Sequence, residues 1–301
     1  MKKMSRKLFI ACLAVAFAVI ALGTSTYAWL VVSRTASVEA FTGEVKAGDG
    51  SIEVSADNGA TWKTSIEKDD FDKKLKNANF KNFDDVTYNG TGFKNITIDS
   101  VKKEATLSDI DASTEDKLAE AGILRFKFQI RLSKDSEKTS QKLFLDLANS
   151  KMTEGASNKK TWTPDKTVGT DIVKDTETSK FIVSNAARVM IKYGDTAIVL
   201  EKGANQEENT AGLQSNTDDD GAMGYLKART GITSEKITAP GTYTTTAING
   251  TTNPELGNVT TTATDVEVTV WLEGYDYDCI NALYKQILSV SLGFVLEDQN
   301  A

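Results

Sequence analysis

The sequence contains no histidine among its 301 residues. Histidine is the commonest general base near neutral pH, and it activates the nucleophile in Ser-His and Cys-His catalysis. Its absence excludes these mechanisms and also excludes histidine-ligated zinc sites. The chain carries no GxSxG, P-loop or HExxH motif either. We therefore predict that the protein is not an enzyme. An exported hydrolase that uses paired carboxylates is the catalytic alternative.

Cysteine is nearly absent as well. The chain has two cysteines, and Cys12 lies in the hydrophobic N-terminal segment described below. An exported chain that has lost this segment would keep only Cys279, and one cysteine cannot close an intrachain disulfide. Because no histidine is present to activate the thiol, we expect Cys279 to be buried. The compartment has to be inferred from the N-terminal segment instead.

Basic residues are outnumbered by acidic ones, 35 to 42, which gives a net charge of −7. The first 28 residues contain four basic residues and no acid. The rest of the chain therefore has 31 basic and 42 acidic residues, a net charge of −11. Such a chain repels nucleic acid and anionic lipid headgroups. We expect no nucleic-acid partner, and contact with a membrane only through residues 8–32.

The N-terminus has the parts of a secretory signal. Residues 1–7 are basic, and residues 8–23 form an uncharged apolar core. Small residues then occupy the −3 and −1 positions of a cut between Ala28 and Trp29. An uncleaved anchor is the alternative, because residues 8–32 are long enough to span a bilayer. Both interpretations predict a secreted protein or one at the cell surface.

Several segments alternate between apolar and polar residues. Residues 123–132, ILRFKFQIRL, have an apolar side chain at every second position. This period of two predicts a strand with one buried and one solvent-facing side in an antiparallel sheet. Residues 266–272 alternate in the same way, with their valines facing inward and Glu267, Thr269 and Trp271 outward. The apolar run ILSVSLGFVL at residues 287–296 predicts the final strand.

Two short turn sequences predict hairpins. Asn58-Gly59 separates two β-prone runs, and both residues accept the positive φ of a type I′ turn. Gly194-Asp195 separates residues 181–193 from residues 197–201 in the same manner.

These strands occur without a sustained helical period and without a βαβ rhythm. We predict an all-β fold, an antiparallel β-sandwich of the jelly-roll kind with short helices, over residues 49–301. Polar composition predicts insertions around residues 65–120 and 202–262. A hydrophobic signal or transmembrane helix would precede the domain.

Three carboxylates follow the strand at residues 266–272. Glu273, Asp276 and Asp278 stand within six residues of one another. Hard cations such as calcium take oxygen ligands from loops of this type, so calcium is the candidate ligand. The alternative is a solvated acidic turn that binds nothing. We predict no other cofactor.

The N-terminal region resembles a known family. Residues 23–45, GTSTYAWLVVSRTASVEAFTGEV, are similar to the signal-cleavage region and first strand of the TasA/camelysin family of exported proteins, which carry a SipW-type signal peptide. In that family a special signal peptidase cuts after a small-aromatic-Ala motif, here residues 26–28, and a strand follows, here residues 35–41. The stretches WLEGYDYDC and ILSVSLGF resemble the closing strands of exported proteins of Firmicutes with this type of signal.

The resemblance implies a jelly-roll subunit of a Gram-positive biofilm matrix or cell-surface fibre. Cleavage would release an N-terminal donor strand within residues 29–48, which would insert into the open sheet of a neighbouring subunit. The implied anchors of that strand are Val31, Val38, Phe41 and Val45. The implied partners are further copies of the chain and the signal peptidase.

Camelysin has been classed as a metalloprotease, but that activity is not carried over because this chain has neither histidine nor a zinc motif. The alternative function is a membrane-anchored surface adhesin that keeps residues 8–32.

Overall fold

The computed structural model describes residues 37–43, 52–99, 101–154, 161–202, 221–239, 241–280, 283 and 286–297. The predicted signal, its cleavage site at Ala28 and Trp29, and the predicted anchors Val31 and Val45 lie outside these residues. None of the helices in these ranges has both the length and the hydrophobicity that a transmembrane span requires.

The described chain consists mostly of β-strands. In chain order the strands are β1 (Ser37–Gly43), β2 (Ile52–Ser55), β3 (Asp85–Tyr88), β4 (Phe93–Asp99), β5 (Glu104–Asp109), β6 (Leu124–Leu132), β7 (Ser140–Glu154), β8 (Ala187–Tyr193), β9 (Thr196–Glu201), β10 (Thr246–Ala247), β11 (Glu255–Thr260), β12 (Thr264–Glu273) and β13 (Ile287–Leu296). The helices are short: α1 (Lys68–Asp70), α2 (Glu115–Glu120), α3 (Val183–Ala186) and α4 (Gly221–Thr230). A π-helical turn, Phe71–Leu75, continues α1, and a 3-10 turn covers Ser234–Lys236. The all-β prediction is confirmed.

The smaller sheet has four strands in the spatial order β1-β13-β7-β11. β13 is antiparallel to β7, and β7 is antiparallel to β11. β1 pairs with β13 in parallel, from Ser37 opposite Ile287 to Gly43 opposite Leu292. The N-terminal and C-terminal strands of the described chain are therefore neighbours, with β1 at the edge of the sheet.

The larger sheet has nine strands and is organised around β12. β8 runs antiparallel along one edge of β12. The other edge pairs first with β6, up to Val270, and then with β3 at Leu272 and Glu273. β2 extends the sheet beyond β6, β4 and β5 extend it beyond β3, and β9 and β10 extend it beyond β8. The end of β12 thus lies where three strands meet.

One hydrophobic core receives side chains from both sheets. The alternation in β6 buries its apolar side chains, from Leu124 to Leu132, and those of β12 from Val266 to Leu272 are buried as well. Phe128 of β6 meets Phe294 of β13 edge to face, with ring centroids 5.9 Å apart. The side chains predicted to face inward are therefore the ones that join the two sheets.

The prediction that Trp271 and Thr269 face solvent is wrong, because both side chains are buried. Trp271 belongs to a second, smaller apolar cluster, and the Thr269 hydroxyl accepts from Nε of Arg125 at 3.3 Å. The buried members of this cluster are Val86, Phe93, Leu118, Ile123, Val199 and Trp271. Most of the cluster comes from residues 86–123, so the segment predicted as an insertion supplies strands and core residues.

The segment predicted as a second insertion, residues 202–262, also contributes to the sheets where it is described. β11 pairs with β7 and buries Leu256 and Val259. α4 buries Tyr225 and Leu226. Residues 203–220 lie outside the description.

Both predicted turns are present. Asn58 and Gly59 have φ values of 54° and 82°, and the amide of Ala60 donates to the carbonyl of Asp57 at 3.2 Å. The strand expected after this turn is reduced to a single bridge between Val54 and Lys63, and β2 forms its full ladder with β6 on its other edge. Gly194 lies at the turn between β8 and β9, which form the second hairpin.

Gly122 gives a test of the packing between α2 and β3. Its φ is 75°, and an added Cβ would lie 2.3 Å from the amide nitrogen of Asp84. Gly194 also has a positive φ, 57°, but a Cβ there would meet nothing within 4 Å. We expect Gly194→Ala to cost about 1 kcal/mol from the backbone conformation alone. Gly122→Ala should cost at least about 1 kcal/mol more, since backbone atoms must move as well.

Urea unfolding of both variants measures the difference in the free energy of unfolding. Equal costs at the two glycines would contradict the close approach of Gly122 to Asp84.

Candidate functional site

The three carboxylates predicted as a calcium site lie at the end of β12. The turn that holds them is tied back to the sheet, since the amide of Gly274 donates to the carbonyl of Val86 at 2.8 Å. The amide of Asp276 donates to the carbonyl of Glu273 at 2.9 Å, and this bond folds the chain inward. The side chains of Glu273, Asp276 and Asp278 are consequently buried. The interpretation as a solvated acidic turn is therefore wrong.

An arginine from β8 lies among these acids. Arg188 is opposite Trp271 in the pairing of β8 with β12, and its side chain is 0% exposed. Its Nη2 atom is 2.6 Å from Oδ2 of Asp276 and 3.4 Å from Oε2 of Glu201, which ends β9. Nη1 donates to the carbonyls of Asn185 at 2.9 Å and Ala187 at 3.0 Å. One guanidinium thus connects β8, β9 and the turn after β12.

Glu273 is held mainly by neutral donors. The hydroxyl of Tyr243 donates to its Oε2 at 2.9 Å, and the indole Nε1 of Trp271 donates to the same atom at 3.3 Å. The amide of Tyr275 donates to Oε1 at 3.3 Å. Glu201 also has a neutral donor, since the hydroxyl of Thr245 lies 2.7 Å from its Oε1. Residues 243–245 therefore cover the cluster from the side of β10.

Burial dominates the electrostatics of this cluster. It raises the pKa of Glu273, against the opposing effects of Thr87 and Arg188. It also raises the pKa of Asp276, although the positive charge of Arg188 acts in the other direction. Burial lowers the pKa of Arg188, but the acids around it, Asp276 above all, outweigh this effect and leave the pKa raised. Arg188 therefore stays charged, while burial and the charge of Arg188 act in opposite directions on the pKa values of Glu273 and Asp276.

The arrangement resembles a structural ion cluster more than an open ligand site. Within the described ranges, no three Asp, Glu, His or Cys side chains form a group that could hold a metal ion. Asp276 already faces a guanidinium, and Glu273 already accepts bonds from two aromatic side chains. Calcium at Glu273, Asp276 and Asp278 stays a prediction.

Sequence reasoning missed the groups that complete the cluster: Arg188, Glu201 and Tyr243. The available signal was Arg188 itself, a charged residue in the otherwise apolar start of β8. A charge at such a position is rarely buried without a partner, and several acids elsewhere in the chain were candidates for it. Cys279, expected to be buried, lies beside the same turn and is buried.

The predicted donor-strand residues fall on a different part of the molecule. Val38 and Phe41 lie on β1, where their register partners on β13 are Leu288 and Val290. Those two partners are buried. The structure thus brings the N-terminal strand to the C-terminal strand, away from the carboxylate turn.

Comparisons with known proteins give no relative: no protein-family model, no curated protein and no solved structure matches this chain.

Replacing Arg188 tests the ion cluster. Arg188→Met should lower the free energy of unfolding by about 3–5 kcal/mol, because it leaves Asp276 and Glu201 buried without their cation. Lys142→Met is the matched control. Lys142 also pairs with a glutamate, Glu255, at 3.1 Å, but both side chains are 45% exposed. The control should cost less than about 1 kcal/mol. The measurement is chemical unfolding of both variants, and similar small costs would contradict the account.

Proposed function

We propose that this chain is a secreted structural subunit of an extracellular fibre or biofilm matrix. Subunits would assemble by inserting the N-terminal strand of one copy into the sheet of the next. The observation that carries the proposal is the parallel pairing of β1 with β13 at the edge of the smaller sheet.

The pairing is transferable between copies. Among the described strands, β1 pairs with β13 alone. A β-ladder is held by backbone groups, so a second copy can offer the same strand in the same register. Exchange of an identical element between copies is a low-cost route to assembly.

The chain around β1 also suits an exchange. Eight residues, 44–51, connect Gly43 to the start of β2. When extended, eight residues span up to roughly 28 Å. That length lets β1 leave its own sheet while β2 stays paired with β6.

The energetic reason for exchange lies in β13. Without β1, one edge of β13 would present unpaired backbone groups next to buried side chains, those of Leu288, Val290 and Leu292. An open edge of this kind promotes pairing with another chain. A strand from a second copy satisfies it and leaves the first copy's own strand available for a third.

We further infer that the two sheets form a sandwich of the jelly-roll kind. This is supported by the contact of Phe128 with Phe294 between the sheets. The hydroxyl of Tyr193 on β8 also donates to the carbonyl of Asn258 on β11 at 2.8 Å.

Export follows from the N-terminal sequence. A cut between Ala28 and Trp29 would make Ser37, the first residue of β1, the ninth residue of the mature chain. We propose a non-catalytic protein at the cell surface or in the medium.

A double-cysteine variant tests whether β1 pairs between copies. Ala40 and Ser289 are register partners in the β1–β13 pair. Neighbouring strands lie about 4.8 Å apart, within the Cα separation that a disulfide bridges. In a Cys279→Ala background, which removes the one native cysteine left after the proposed cut, oxidised polymers of Ala40→Cys/Ser289→Cys should run as a covalent ladder on a non-reducing gel. If β1 stays in its own sheet, the disulfide forms within each chain and the protein runs as a monomer.

Ala40→Cys/Val101→Cys is the control, because Val101 is 90% exposed in the turn between β4 and β5. It should give no ladder. Polymers seen by electron microscopy whose chains all carry the internal disulfide would overturn the proposal.

A further inference from the structure

An irregularity in β7 shapes a cavity on the smaller sheet. Ser291 of β13 is opposite Lys151, but Gly293 is opposite Asp146. Residues 147–150 of β7 therefore stand opposite Leu292 alone. Such bulges often lie beside functional sites, where they redirect side chains.

The bulge is held by its own hydrogen bonds. The Ser150 hydroxyl donates to the carbonyl of Asp146 at 2.7 Å and accepts from the amide of Gly293 at 2.9 Å. The Asp146 carboxylate accepts from the amide of Asn149 at 3.2 Å, and the amide of Leu147 donates to Oδ1 of Asn253 at 2.9 Å. These hydrogen bonds hold the backbone of the bulge in place within the strand.

A cavity of about 330 Å³ lies between this bulge and the turn at residues 248–250. Its size falls within the range of small-molecule sites. Leu147, Met152 and Ile248 are among its lining residues, and all three side chains are buried. Gly250 lets the turn approach closely, since a Cβ there would lie 3.2 Å from Cδ1 of Leu147. The cavity therefore has an apolar floor.

The charged residues that line the cavity are both cationic. They are Lys151 and Lys202, and no acid is among the described lining residues. The Lys202 side chain is 16% exposed, and its Nζ lies 2.9 Å from the hydroxyl of Ser184 and 3.9 Å from Oε2 of Glu154. This ammonium group is therefore fixed at the wall. Glu154 lies beside Lys202 but is not among the described lining residues, so the charges that line the described part of the cavity are cationic and favour an anionic ligand.

We propose that this cavity binds a small aliphatic carboxylate. The hydrocarbon part lies against Leu147, Met152 and Ile248, and the carboxylate faces Lys202 and Lys151. Burial of the chain supplies affinity, and the amines select the anion. This inference does not depend on the proposed assembly, because the cavity is formed by β7 and the turn at 248–250 and not by β1.

Isothermal titration calorimetry of the purified protein with sodium octanoate tests the proposal. We expect saturable binding at one site. Octan-1-ol has the same chain without the charge, and it should bind at least about tenfold more weakly, the change expected from loss of a charge-assisted contact. Lys202→Met should weaken octanoate binding by a similar factor and leave octan-1-ol binding unchanged. Lys142→Met removes a lysine outside the cavity and should have no effect.

Two further variants keep the test independent of the contacts that Lys202 makes. Lys151→Met should also weaken octanoate binding, and Ala148→Phe should abolish binding of both probes by filling the cavity. Circular dichroism confirms that each variant is folded. The proposal is overturned if octanoate shows no saturable binding, if octan-1-ol binds equally well, or if the cavity-filling variant binds as the unmodified protein does.

Discussion

The constraint on which the smaller sheet depends is that both edges of β13 must be paired. β7 satisfies one edge and β1 satisfies the other. Because β13 carries buried side chains along most of its length, an open edge here would expose backbone groups next to apolar surface. The strand that closes the edge comes from the other end of the chain. The stability of this edge in one copy, and assembly as we propose it, therefore use the same backbone ladder.

The larger sheet depends on a different element, the end of β12. Three strands pair with β12, and the turn that follows brings Asp276 to Arg188. A buried ion pair of this kind is weak evidence for added stability, but the loss of one partner is costly because the other charge stays buried. The cluster therefore acts as a positional constraint. It fixes the turn from which the chain leads to β13, and so it connects the two sheets.

The sequence could predict the elements that follow from local pattern. The alternation in residues 123–132 and 266–272 predicted β6 and β12, and Asn58-Gly59 predicted a turn with positive φ. What it could not predict depends on distant residues. Trp271 is buried because the segment from β3 to α2 covers it, and Asp276 is buried against Arg188, which reaches it from β8. The parallel pairing of β1 with β13 joins strands from the two ends of the described chain, and no local sequence pattern predicts it.

The central claim is that β1 is an exchangeable strand. Its most direct test is to delete residues 29–43 and to add them back as a synthetic peptide covering residues 29–46. The account predicts that the truncated protein is folded but forms no polymers by electron microscopy. It also predicts that the peptide binds one to one and raises the melting temperature. Polymers formed by the truncated protein, or a peptide that fails to bind it, would contradict the account.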